Sequence, residues 1–133
     1  MHEGAVVPQY AHHGDAALDL YCVESVTIAP MERIAIPTGI AMEIPDGYVG
    51  LIWDKSGLSI KHGLKTLGGV VDSTYRGEVL VGMVNLSKEP YTFQAGNKVA
   101  QMIIQKKETV LVEEVFDLSD TLRGEGGFGS TGK

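Results

Sequence analysis

Residues 79–106 read VLVGMVNLSKEPYTFQAGNKVAQMIIQK. Three runs rich in Val, Ile, Met and aromatic residues, 79–85, 91–93 and 98–106, are cut apart by Lys88-Glu89-Pro90 and Gln94-Ala95-Gly96-Asn97. Both interruptions have turn chemistry, and each is expected to close a hairpin. No run repeats apolar residues every three to four positions, so the stretch reads as strands.

The pattern continues on both sides. Further candidate strands are 25–28, 32–37, 48–53 and 110–114, and Asp19 lies between two leucines in another. Pro45-Asp46-Gly47 supplies a fixed φ followed by a residue free to take positive φ, a turn with a stated cause. Only 56–61 reads as helix, for little more than a turn. Many short strands with regular turns point to an all-β sandwich or barrel-like domain, with no internal repeat and no linker.

The bulk properties narrow the function. A chain of 133 residues fits one domain, and 44% hydrophobic content argues against disorder. No apolar run approaches the roughly 20 residues of a membrane helix. Met1-His2-Glu3-Gly4 does not resemble the start of a signal peptide, and a cytoplasmic, non-secreted protein is expected (nuclear or inside a host cell if eukaryotic or viral). Cys22 is the single cysteine and reads as a small buried hydrophobe rather than a reactive thiol. A net charge of −6 speaks against a nucleic-acid partner but not against one nucleotide, which a few cations, backbone N–H groups and a divalent metal can hold.

Five places have the residue types for such chemistry. In Asp54-Lys55-Ser56-Gly57-Leu58, Ser56 can cap a helix whose first N–H groups face an anion, with Lys55 adding charge and Gly57 allowing close approach. The same five residues serve equally as a strand–turn–helix junction. In residues 68–78, a hairpin opened by Gly68 and Gly69 offers bare backbone to a ligand edge. Asp72 near its tip suits a general base, and Tyr75 offers a flat ring. A structural turn, with Arg76 and Glu78 paired on the surface, fits that segment too. Asp19 either has a job or points to solvent, and Gln101 is an amide in an apolar strand. The glycine-rich end, 123–133, reads as a frayed tail or as a cover for a phosphorylated base, since it carries Arg123, Phe128, Ser130 and Thr131. The four histidines show no metal-ligand spacing.

The order of these pieces resembles the trimeric dUTP pyrophosphatase family. Five of its motifs occur in sequence, at 14–22, 54–59, 69–78, 97–102 and 123–132. Val71-Asp72-x-x-Tyr75-Arg76-Gly77 and Arg123-Gly124-x-Gly126-Gly127-Phe128-Gly129-Ser130-Thr131-Gly132 match with essentially no departure. The resemblance implies a distorted jelly-roll (β-clip) core over 1–122, with one short helix. It also implies a flexible arm over 123–133 and a homotrimer with active sites shared between subunits. Its activity is hydrolysis of dUTP to dUMP and pyrophosphate, which limits uracil incorporation into DNA and supplies dUMP for thymidylate synthesis.

By the same resemblance, the backbone of Gly69, Val70 and Val71 reads uracil, and Tyr75 packs beneath the deoxyribose and excludes a 2′-OH. Asp72 activates the water that attacks the α-phosphorus. Lys55, Ser56, Gly57 and Gln101 hold phosphates, and Arg123, Ser130 and Thr131 reach the terminal one. Phe128, beside Gly129, stacks on the base. Mg²⁺ is held mainly by phosphate oxygens and water, with Asp19 touching it only through water.

The chain departs from the family where Pro-Arg-Ser-Gly-Leu is usual and Asp54-Lys55-Ser56-Gly57-Leu58 stands. Lysine keeps the charge but loses the planar fork, and Asp54 adds negative charge near the phosphates, so phosphate binding is expected to be weaker or more metal-dependent. Ala17-Leu18 stands where a glycine often precedes the apolar residue. Rival readings are a dCTP deaminase or bifunctional deaminase of the same fold, a non-catalytic regulatory trimer, and an oligonucleotide-binding barrel. Residues 80–85 hold no carboxylate for the deaminase chemistry, and Asp72, Tyr75 and the arm are intact, against a silent trimer. Charge and the lack of exposed aromatic stripes oppose the barrel.

Overall fold

The computed structural model describes residues 2–127. Nine strands and one helix follow in chain order: β1 (Leu18–Tyr21), β2 (Val26–Ile28), β3 (Arg33–Pro37), β4 (Tyr48–Trp53), α1 (Ser56–His62), β5 (Leu64–Leu67), β6 (Val70–Asp72), β7 (Leu80–Asn85), β8 (Tyr91–Phe93) and β9 (Lys98–Lys106). They form three antiparallel sheets, ordered β1-β9-β4-β6, β2-β8 and β3-β7-β5. Among these strands no two consecutive ones pair. The pairing is nested instead, first with last and second with second-last, which is the wrapped arrangement of a jelly roll.

That nesting corrects two local readings. Lys88-Glu89-Pro90 and Gln94-Ala95-Gly96-Asn97 are turns, but neither closes a hairpin, because β7, β8 and β9 lie in three different sheets. Gly68-Gly69 likewise opens no hairpin. β5 pairs with β7 and β6 with β4, so the two glycines, at φ of 68° and 101°, form the corner where the chain leaves one sheet for another. Side chains rarely tolerate two successive positive φ values, and a Cβ on Gly69 would sit 2.8 Å from the Ile52 carbonyl oxygen.

Between the sheets lies a core that includes Leu20, Ile28, Ile36, Met83, Phe93 and Met102, each at most 1% exposed. Cys22 is part of it: its Sγ–H donates to the Gln94 carbonyl at 3.1 Å, and burial pushes its thiol above the ordinary value. Asn85, fully buried at the end of β7, is the main polar tie. Its amide N–H groups donate to the carbonyls of Ile28 (2.9 Å) and Glu89 (2.8 Å), and its oxygen accepts from the N–H and hydroxyl of Ser87.

Among the described residues regular structure ends at Lys106. The strand expected at 110–114 does not form: it has no strand partner among the described residues, and Leu111 and Phe116 stand fully exposed. Among the described residues no helix is long and apolar enough to cross a membrane.

Replacing Asn85 with alanine leaves the buried Ile28 carbonyl without its amide donor and unties Glu89 and Ser87 from the end of β7. The expected cost is about 2–4 kcal/mol, read as a lower urea midpoint at unchanged slope. An unchanged midpoint would contradict the role given to this amide.

Candidate functional site

β9 sits at the centre of its sheet, with β1 on one side and β4 on the other. The register places Gln101 opposite both Asp19 and Trp53. Three strands therefore deliver one row of polar groups: the Asp19 carboxylate, the Gln101 amide and the loop that leaves β4 at Asp54. Gln101 donates through Nε2 to the Asp54 carbonyl at 2.8 Å.

Asp19 does not face solvent. It is 4% exposed, with Oδ1 bonded to the Lys55 ammonium and Oδ2 to the Lys98 ammonium at 2.7 Å. Burial alone would raise this carboxyl, but the two cations outweigh it and hold it below the ordinary carboxylate range. Lys98 was not singled out from the sequence. Strict alternation puts it on the opposite face from Gln101, three residues on, but a bulge intervenes. Leu20 pairs with Ala100 and Tyr21 with Lys98, which leaves Val99 as an extra residue, and both Val99 and Ala100 are buried. The bulge swings Lys98 round to the Gln101 side.

Helix α1 starts at Ser56, so Lys55 rather than Ser56 occupies the capping position, and no side chain caps it. The Lys55 carbonyl accepts from the Leu58 and Ser59 N–H groups. The N–H groups of Ser56 and Gly57 precede the first of these bonds and lie at the positive end of the helix. With Lys55, Lys61, Lys98 and Gln101 they line a cavity of about 370 Å³.

The negative charge of Asp54 is directed away from this cavity. Its Oδ1 accepts from both the N–H and the hydroxyl of Thr66, and Oδ2 meets the Lys65 ammonium, all at 2.7 Å. Burial would raise its carboxyl, but Lys65 and the two Thr66 donors bring it below the ordinary range.

A second cavity, about 210 Å³, is lined by Ile52, Gly69, Val70, Val71, Asp72 and Tyr75. The Ile52 N–H donates to the Gly69 carbonyl at 2.7 Å, so these two form a hydrogen-bonded pair. Alternation along the ladder makes Gly50 and Val71 the next such pair and turns the main-chain groups of Val70 to the free edge of β6. Asp72 ends β6 at the surface, and its carbonyl accepts from the Tyr75 N–H. The Tyr75 hydroxyl donates to the Glu78 carbonyl at 2.9 Å. Arg76 and Glu78 do not pair. Arg76 faces Glu43 at 3.4 Å, while Glu78 accepts from the Gly39 N–H, because the turn at 73–77 points their side chains to different segments.

The two cavities share no residue. Lys55, Ser56, Gly57, Gln101 and Asp19 gather in one place, and Gly69, Val70, Val71, Asp72 and Tyr75 in another. Arg123 lines neither and donates to the Gly126 carbonyl at 2.7 Å. Phe128, Gly129, Ser130 and Thr131 lie outside the described residues.

The family profile for dUTPase matches residues 3–132. The chain belongs to the dUTPase family. It is 51% identical over 130 residues to the deoxyuridine 5'-triphosphate nucleotidohydrolase of Clostridium kluyveri, covering 96% of this chain and 91% of that one. It is 46% identical to the enzyme of the same name from Clostridium novyi, covering 98% and 93%. Among solved structures it resembles the dUTPase of Staphylococcus bacteriophage 80alpha with dUpNHpp, at a TM-score of 0.91 and 30% identity over 99% of this chain and 95% of that one. It also resembles a variant dUTPase from phage phi11 of S. aureus, described as coordinating a structural Mg(II) ion, at a TM-score of 0.83 and 28% identity over 90% and 95%. The jelly-roll expectation and the family resemblance are borne out.

A carboxyl held below its unfolded value lends stability that is present above about pH 4 and lost as pH falls through the folded value. Asp54→Asn removes that dependence, so its melting temperature should fall less steeply than the parent's below about pH 4. Parallel acid limbs would contradict the pairing described for Asp54.

Proposed function

We propose that this dUTPase-family chain hydrolyses dUTP to dUMP and pyrophosphate. A single observation carries the reading beyond family membership. A cationic, amide-lined cavity and a cavity floored by bare backbone and a carboxylate have no lining residue in common. Each is half of what a nucleoside triphosphate needs, and a threefold assembly brings the halves of neighbouring subunits together. Apolar surface supports such an assembly: Val70 and Leu80 are exposed beside the second cavity, and Leu111, Phe116 and Leu122 are exposed beyond β9.

In this reading the free edge at Val70 hydrogen-bonds the uracil edge. Gly69 and Val71 keep the strand seated on β4 and leave a pocket too tight for thymine's methyl. Cytosine is rejected because its exchanged donor and acceptor would be buried without partners. Tyr75, braced through its hydroxyl on Glu78, packs under the deoxyribose and excludes a ribose. Lys55, the Ser56 and Gly57 N–H groups and Gln101 hold the phosphates, with Lys98 beside them.

Asp72 takes a proton from the attacking water as its oxygen bonds to the α-phosphorus in line. The bond from that phosphorus to the bridging oxygen breaks, and pyrophosphate leaves. The segment 123–133 serves as an arm over a neighbouring site. Arg123, Ser130 and Thr131 meet the terminal phosphate there, and Phe128 with Gly129 covers the base.

Mg²⁺ bound to the phosphates would neutralise their charge. The donor set fits an ion held mainly by phosphate oxygens and water. Both Asp19 oxygens are engaged by ammonium groups, so Asp19 can accept a hydrogen bond from metal-bound water without losing an ion pair, whereas direct ligation would break one.

With Mg²⁺ present, the parent should release pyrophosphate from dUTP and not from dCTP, dTTP or UTP, and Asp72→Asn should lose at least about 100-fold in kcat. Equal release from the other nucleotides, or an active Asp72→Asn, would overturn the assignment. Deleting residues 123–133 should leave a folded trimer with severely reduced kcat. A fully active truncated chain would refute the covering role of the arm.

A further inference from the structure

The phosphate-gripping helix cannot set its own position. α1 has seven residues, buries none of them and has no side-chain cap. Isolated helices of this length are unstable. Leu58 rests on the core and the His62 ring lies 4.7 Å from that of Tyr91, which holds the later part of α1, while the start at Ser56 and Gly57 also depends on what holds the residues before it. Lys55 bonds through its carbonyl only to α1 itself, and reaches Asp19 of β1 through a long, flexible side chain. Asp54 is tied at both ends: its carbonyl by Gln101 of β9, and its carboxylate by Thr66 and Lys65 of β5. Those two strands belong to different sheets, so one residue clamps the loop between them.

Resting on the dUTP reading, we propose that Asp54 is a positioning residue for triphosphate binding. Its three accepted hydrogen bonds fix the loop so that Ser56, Gly57 and the Lys55 side chain meet the phosphates in one geometry. Asp54 touches no substrate and acts through the residues that follow it. Its contribution is therefore specific to phosphate and leaves recognition of the base, in the other cavity, unchanged.

Asp54→Ala releases the clamp. Asp54→Asn keeps the oxygen that Thr66 addresses and serves as the conservative rescue. Thr66→Val keeps a β-branched strand residue and removes one donor of three. The readouts are affinity for dUpNHpp and the inhibition constant of deoxyuridine, which lacks phosphate. Asp54→Ala is expected to weaken dUpNHpp about tenfold while deoxyuridine stays within about twofold. Asp54→Asn should recover most of that loss, and Thr66→Val should lose about threefold.

Parental dUpNHpp affinity in Asp54→Ala would overturn the proposal, as would an equal loss for deoxyuridine, which marks general damage. If Asp54→Ala does not fold, Thr66→Val decides: parental dUpNHpp affinity there also overturns it. A parent that neither binds dUpNHpp nor cleaves dUTP would fail the functional reading itself, and this assignment with it.

Discussion

The placement of Asp19, Gln101, Lys98 and the loop carrying Lys55 depends on the register of β9 between β1 and β4. Opposite Gln101 lie Asp19 on one neighbour and Trp53 on the other, so a single transverse row carries a carboxylate, an amide and the exit of β4. A slip of one residue would turn Gln101 to the other face of the sheet and bury a polar amide where Met102 now packs. The fully buried Val99, Ala100 and Met102 resist that slip. The bulge at Val99 then brings Lys98 to the same cavity, so the core residues that fix the register also position the second lysine.

Electrostatics at this row is a matter of one carboxylate between two ammonium ions. Asp19 holds Lys55 and Lys98 side by side within the fold itself, so for the phosphate-binding role proposed above the charge is gathered in advance rather than on binding. Two point charges held apart by a carboxylate approximate what a single planar guanidinium does with its fork, although each ammonium keeps its own direction. The charge of Asp54, which on sequence grounds lies close to the phosphates, is spent on Lys65 and Thr66, so it contributes order rather than repulsion.

Much of this was legible in the sequence because it is local. β4, β8 and β9 have the bounds their apolar runs suggest, the Pro45-Asp46-Gly47 turn forms, and the short helix runs one residue longer than its pattern. What escaped was long-range. Turn chemistry says that the chain bends at Gly96 or Gly68, but not whether the next strand returns to the same sheet. Here nested pairing sends it elsewhere each time. Lys98 escaped because a bulge breaks the period of two, and Thr66 because its partner, Asp54, is twelve residues away. The apolar run at 110–114 has the composition of a strand, but composition cannot supply the second strand it needs.

The central claim is that each active site is assembled from the phosphate cavity of one subunit and the base and general-base cavity of another. Co-refolding Asp72→Asn chains with Lys55→Ala chains tests it most directly, since each variant alone lacks one half. At equal proportions, about a quarter of parental dUTP hydrolysis should return, because roughly three quarters of trimers are mixed and each of these rebuilds one site of three. If the mixture stays as inactive as the separate variants while mixed trimers form, both halves serve the same chain and the account is wrong.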